Sequence, residues 1–186
     1  IGSSFSILLF DEDHRPLRYF GCMVILGICP LAAIENVDSE LLDSATVFQT
    51  ANGHERIYMM PYTSDSIMWQ LSFTMAIDEA KSLSAAGSSA LKEEACRRTQ
   101  WHDPIPQILA ATLDAQISGY PVYDRELLQQ ASLEGVGPVT LTGDAAHPMS
   151  TFNGQGASQA LLDPVHIERW RYQTCNTHIP RRTVGI

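Results

Sequence analysis

Positive charge is in short supply in this chain. Twelve Lys and Arg stand against 21 Asp and Glu, a formal net charge of −9. A nucleic-acid surface needs clustered cations, so that class of partner is excluded. No C-x-x-C pair occurs among Cys22, Cys29, Cys96 and Cys175, and their spacing fits no zinc template. Free, mostly buried thiols in a reducing, cytoplasmic compartment are the favoured reading, with one disulfide as the alternative. Long apolar runs are missing too. The most apolar stretch, Tyr19 to Ile34, is short for a bilayer and is interrupted by Pro30, so no transmembrane segment is expected. Repeats and low-complexity segments are absent. So are an initiating Met and the basic flank of a signal peptide, which leads to the expectation of a fragment or a processed chain.

Hydrophobic residues make up 45% of the chain, enough for a packed core. Met23 to Ile28 reads as a buried strand followed by a turn. Val47 to Thr50 and Arg56 to Met60 read as a hairpin around Asn52-Gly53, a strong turn signal. "SIMWQLSFTM" reads as a third strand, rich in aromatic and β-branched residues. Hairpin logic makes this sheet largely antiparallel or mixed. A short helix is expected from an Asp78 cap to Leu83, a second from Ser88 or Ser89 to Arg98, and a third opened by Pro104 and Pro106. Further on, "PVYDREL" and Val139 to Leu141 read as strands, and Gly156 to Leu162 as a helix.

One stretch concentrates chemistry: "GDAAHPMSTFNGQGASQALLD", Gly143 to Asp163. Its order is strand, acidic turn, Gly-rich loop, helix. A helix start carries N–H groups without partners and a partial positive charge, and glycine lets a ligand approach them closely. Asp144, at the end of a strand, is placed to accept hydrogen bonds from ligand hydroxyls. The plainer alternative is a simple connection in which Asp144 is only a cap.

This stretch closely resembles the second flavin-binding motif of the FAD-dependent aromatic hydroxylases, the single-component flavoprotein monooxygenases that include the 4-hydroxybenzoate and salicylate hydroxylases. "PVYDREL" resembles the Asp-Arg segment ahead of that motif, and "RIYMMPY" and "MWQLSF" resemble strands of the family's substrate domain. The resemblance implies an α/β protein, α+β-like over this length. Its parts would be a substrate-binding sheet domain with helices over 1–115, the last strand, loop and helix of a Rossmann-like FAD domain over 116–164, and an irregular tail over 165–186. It also implies that Asp144 binds the ribityl chain of FAD. Gly154, Gln155, Gly156 and Ala157 would present backbone N–H groups to the pyrimidine side of the flavin ring, and Pro148 would stiffen the loop. The implied reaction uses NAD(P)H to reduce FAD, and O2 to hydroxylate a small aromatic or similar substrate.

No catalytic side chain and no metal ligand is assigned, because the flavin carries the hard chemistry. His147 is expected to orient its loop through hydrogen bonds rather than act as acid or base. Asp124 and Arg125 are expected as an ion pair that positions the loop or approaches the cofactor, with a plain surface pair as the equal alternative. Tyr58, Met59, Met60, Trp69 and Phe73 are candidates for a substrate pocket, with core packing the better expectation for each. Three positions depart from the family pattern: Thr151 for Pro, Ser158 for Asn, and Pro164, which is expected to end the helix early. No G-x-G-x-x-G and no middle Asp-Gly motif occurs, so an N-terminal dinucleotide-binding unit is expected to be missing. Two readings from other classes remain. One is an inactive fragment or interaction module, self-associating through an exposed apolar face. The other, much weaker, is a metal hydrolase using Asp144, His147 and His102.

Overall fold

A computed structural model describes residues 17–34, 37, 39, 42, 45–125, 141–147 and 149–177, with side chains described through residue 168. Two compact units emerge: Tyr19–Val122, and Tyr123–Ile186 together with Ile1–Arg18. The first holds strands β1 (Arg18–Pro30), β2 (Phe48–Ala51), β3 (Glu55–Thr63), β4 (Ser66–Thr74) and β5 (Ile117–Asp124), the end residues of β1 and β5 crossing the division. It also holds helices α1 (Ile77–Ala85), α2 (Ser88–Arg98) and α3 (Ile105–Ala111). The five strands form one sheet in the order β2-β3-β4-β1-β5. The β2–β3, β3–β4 and β4–β1 pairings are antiparallel, as hairpin logic required.

Alternation along the strands builds the core. Met23, Ile25 and Cys29 of β1, Ile57 and Met59 of β3, and Ile67, Trp69, Leu71 and Phe73 of β4 share one buried face. Ala80, Leu91, Ala95, Ile105, Ile108 and Leu109 of the helices join them in one cluster. Three of the five pocket candidates, Met59, Trp69 and Phe73, are therefore core residues, each at most 2% exposed. Tyr58 and Met60 point to the opposite face and are half-buried.

Trp69 sets the spacing at the centre. Its register partner is Gly27, and a Cβ at Gly27 would collide with the indole ring, 2.7 Å from its nitrogen. The indole N–H donates to Thr112 Oγ1 at 2.9 Å, and that hydroxyl donates to the Ile108 carbonyl at 2.8 Å. The end of α3 is thus tied to the sheet. Arg98 of α2 does the same at the other end of β4: its guanidinium lies 4.0 Å over the Phe73 ring and donates to Glu55 and Glu94 at 2.9 and 2.7 Å. Arg97 also bonds Glu94, and these arginine contacts hold the Glu94 carboxyl below its ordinary range.

The hairpin turns where Asn52-Gly53 predicts. Gly53 has φ 94°, and Asn52 Oδ1 accepts from the His54 and Glu55 amides at 2.9 and 2.8 Å. Helix α1 starts one residue before Asp78, with Ala76 at its cap; Asp78 and Glu79 instead occupy the first turn, where their charge suits the helix dipole. The expected strand from Val139 to Leu141 falls largely outside the described residues. Burial raises the thiol pKa of Cys22, Cys29 and Cys96, and all three are free. Among the described residues no helix is long and apolar enough to cross a membrane.

The close fit of Trp69 on Gly27 yields a sharp expectation. Gly27→Ala should lower unfolding free energy by about 1–3 kcal/mol through overpacking, read as a lower urea midpoint. Gly156→Ala, where a Cβ meets nothing within 4 Å, should leave the midpoint almost unchanged.

Candidate functional site

The second unit carries the Gly143–Asp163 stretch. Thr142 is extended, Gly143 adopts the left-handed conformation at φ 57°, and Gly143–Ala145 make a single 3-10 turn. The Ala146 and His147 amides both donate to the Gly143 carbonyl at 2.9 Å. Asp144 projects from this turn; it is exposed, and no described residue hydrogen-bonds its carboxylate.

A second 3-10 turn, Thr151–Asn153, ends at Gly154, which is left-handed at φ 61°. Helix α4 (Gly156–Thr177) follows at once, starting where the sequence predicts. Gln155 precedes it and its carbonyl accepts the first helical bond, from Gln159 at 2.9 Å. No acidic residue occupies the first turn. A Cβ at Gly154 or Gly156 would meet nothing within 4 Å, so the chain's own packing does not demand glycine at Gly156. An open, unneutralised helix start of this kind accommodates a flat, electron-rich ligand edge. Pro148 lies outside the described residues.

Two expectations need correction. Pro164 does not end the helix, and residues 165–177, expected as part of an irregular tail, are helical. Proline removes one bond, the donation to the Ala160 carbonyl, and good helix formers flank it: Ala160, Leu161 and Leu162 before, Glu168 and Arg169 after. Asp124 does not pair with Arg125. Neighbours on a strand point to opposite faces, and Asp124 is gripped instead by both Nε and Nη2 of Arg18 at 2.9 Å. That grip lowers the Asp124 carboxyl pKa, yet Arg18 is 65% exposed, so the pair adds little stability. Arg125 Nε is buried with no hydrogen-bond partner among the described residues.

The residue that the sequence did not single out is Asp163. Its Oδ2 accepts from the Gly143 amide at 2.7 Å, and His147 Nε2 lies 3.0 and 2.9 Å from its two oxygens. Donation from Gly143, and then from His147, holds the Asp163 carboxyl below its ordinary pKa. His147 therefore orients the loop, as expected. Its Nε2 faces the carboxylate, while Nδ1 is buried without a described partner. A sequence signal existed. The half-buried positions of α4 are Gly156, Ala160, Asp163 and Ile167, at helical spacing. An Asp inside a small and apolar stripe has to be satisfied by something. Among the described residues no three His, Cys, Asp or Glu side chains gather into a group that could hold a metal ion.

In sequence and in fold this chain is similar to FAD-dependent monooxygenases, as the resemblance stated from the sequence implied. Its relatives include the Aurachin C monooxygenase/isomerase of Stigmatella aurantiaca, 40% identical over 73 residues, which are 39% of this chain and 18% of that protein. The phenazine 1,6-dicarboxylic acid hydroxylase PhzS of Lysobacter antibioticus is 43% identical over 67 residues, 36% of this chain and 15% of that protein. The chain thus matches less than a fifth of the length of either. Its fold is that of a putative FAD-containing monooxygenase from Photorhabdus luminescens subsp. laumondii TTO1, with a TM-score of 0.67 at 17% identity, covering 91% of this chain and 49% of that one. Klebsiella pneumoniae HpxO, solved with FAD and uric acid, gives a TM-score of 0.61 at 20% identity, over 79% of this chain and 34% of that one. No family model matches the chain.

The Asp163 contacts predict a pH response. A carboxyl whose folded pKa is lowered contributes stability above its unfolded value and loses it as pH falls through the folded one. The Gly143 amide-proton shift should therefore titrate with a midpoint below pH 3.8, the ordinary aspartate value. A midpoint at or above 3.8 in an NMR titration would contradict the bonding described.

Proposed function

We propose that this chain is part of an FAD-dependent monooxygenase that hydroxylates an aromatic or similar small organic substrate, with NAD(P)H as reductant and O2 as co-substrate. One observation carries the reading: the exposed Asp144 carboxylate and the open start of α4 occur together in one short stretch, tied by Asp163. The residues fit FAD. Asp144 would accept hydrogen bonds from the ribityl hydroxyls. The N–H groups around Gly154, Gln155, Gly156 and Ala157 would face the pyrimidine edge of the ring, where the positive helix end favours negative charge. When bound, FAD supplies the redox chemistry and the activation of dioxygen; the protein's share is placement, electrostatics and exclusion of water.

The sheet unit offers the substrate surface. Opposite its helix-covered face, Leu26, Ile28, Tyr58, Met60, Met68 and Gln70 lie on a half-buried, mostly apolar face. Apolar surface with a few polar groups suits a flat organic ring. Curated relatives are named for such rings: a phenazine dicarboxylic acid, 6-hydroxynicotinate and 3-amino-4-hydroxybenzoate. Free thiols with raised pKa fit a reducing, cytoplasmic location.

A second reading, an interaction module without activity, draws on α4, where Leu161, Leu162 and Val165 are 77%, 45% and 56% exposed. Such a strip favours self-association, and light scattering on the 186-residue chain would register it.

The flavin reading is tested on the protein encoded by the complete gene. It should purify yellow and bind FAD, and Asp144→Ala should raise the FAD Kd about tenfold or more, the scale of losing hydrogen bonds to a charged acceptor. Unchanged affinity in that variant would remove Asp144 from the site.

A further inference from the structure

We infer that Asp163 is a positioning residue for the flavin-binding turn, an inference that rests on the flavin reading above. The Asp163 side chain is only 18% exposed and both its oxygens are engaged inside the protein, so its role is to hold the turn rather than to contact a ligand. The two residues it holds, Gly143 and His147, bracket Asp144 in the chain. Gly143 also packs on the same helix: a Cβ there would lie 3.6 Å from the Ala160 Cβ. Asp144 is thus suspended between two anchors that share one carboxylate.

The helix bearing that carboxylate is the one whose open start supplies the other half of the proposed site. Gly156 and Asp163 are seven residues apart on α4, about two turns and roughly 10 Å along a rigid axis. Asp163 therefore couples the acid that receives the ribityl chain to the amides that face the ring, at a separation the helix sets. A turn held in advance loses less freedom when a ligand binds, and its affinity rises accordingly. His147 Nε2 lies 3.0 and 2.9 Å from the two Asp163 oxygens, so the far anchor is held by the same carboxylate.

The test is a double-mutant cycle read by FAD titration of the complete protein, following flavin fluorescence quenching. Asp163→Ala should raise the FAD Kd about tenfold. On the Asp144→Ala background the same change should cost less than about twofold, because its effect passes through Asp144. Asp163→Asn keeps an acceptor for the Gly143 amide and should fall between. It is close to isosteric, so it carries the test if the alanine variant does not fold. The inference is overturned if Asp163→Asn and Asp163→Ala leave the Kd within about twofold of wild type. It is equally overturned if the Asp163→Ala loss recurs in full on the Asp144→Ala background, since a general destabilisation of the helix would give that result. Failure of the flavin reading has a different signature, no FAD binding by the wild-type protein, and an unchanged Kd in Asp144→Ala alone removes Asp144 from the site and overturns this inference with it.

Discussion

The sheet unit depends on one flat contact, the Trp69 indole lying on the bare backbone of Gly27. Both residues sit in the middle of their strands, and the ring takes the space that a side chain at Gly27 would need. This fixes a large fully buried side chain at the sheet's centre and sends its one polar atom toward Thr112, at the end of α3. A buried indole N–H without a partner would be costly, so the position of α3 is constrained by the same residue that fills the core. The helix layer then consumes one face of the sheet completely. What remains for a ligand is the other face, where Tyr58, Met60 and Met68 lie.

Charge is used sparingly, and several of the partly buried charges among the described residues are paired, although Arg125 Nε is buried without a described partner. Arg98 meets Glu55, Glu94 and the Phe73 ring at once, its side chain 18% exposed. Asp163 is exposed to the same degree and is paired as fully. Asp124 belongs to a weaker kind of contact, since its partner Arg18 remains largely in solvent. Asp144 contrasts with all of these, an exposed acid with no hydrogen-bond partner among the described residues. That contrast separates a carboxylate spent on the fold from one available to a ligand.

Local patterns in the sequence reported local structure well. The alternation in β3 and β4, the Asn52-Gly53 turn, the prolines opening α3 and the glycine opening α4 each depend on a few neighbouring residues, and each reads correctly. Errors gathered where a distant residue decides. Asp124 lies beside Arg125 in sequence, but its partner is Arg18, 106 residues away. Asp78 is a local exception: it has the chemistry of a cap, but the helix starts at Ile77. Asp163 reads as the acid at the end of a motif, and its contacts sixteen and twenty residues back exist only once the turn has folded onto the helix. Periodicity alone held the missing signal, in an acid occupying an inward position of α4.

Pro164 and Asp163 are best understood together. Proline at 164 takes away the donation to the Ala160 carbonyl and disfavours helical geometry at the residue before it, which is Asp163. Ala160 and Asp163 are both helix residues that meet the Gly143 turn. The weakest point of the helix backbone thus coincides with the point where its side chains are most firmly anchored. The anchoring runs both ways: the bonds from Gly143 and His147 that place Asp144 also hold Asp163 in helical position against the proline that follows. A helix broken at 164 would loosen the bonds from Gly143 and His147 to the Asp163 carboxylate. The turn and the helix are thus joined by the Asp163 carboxylate and by packing of Gly143 on Ala160.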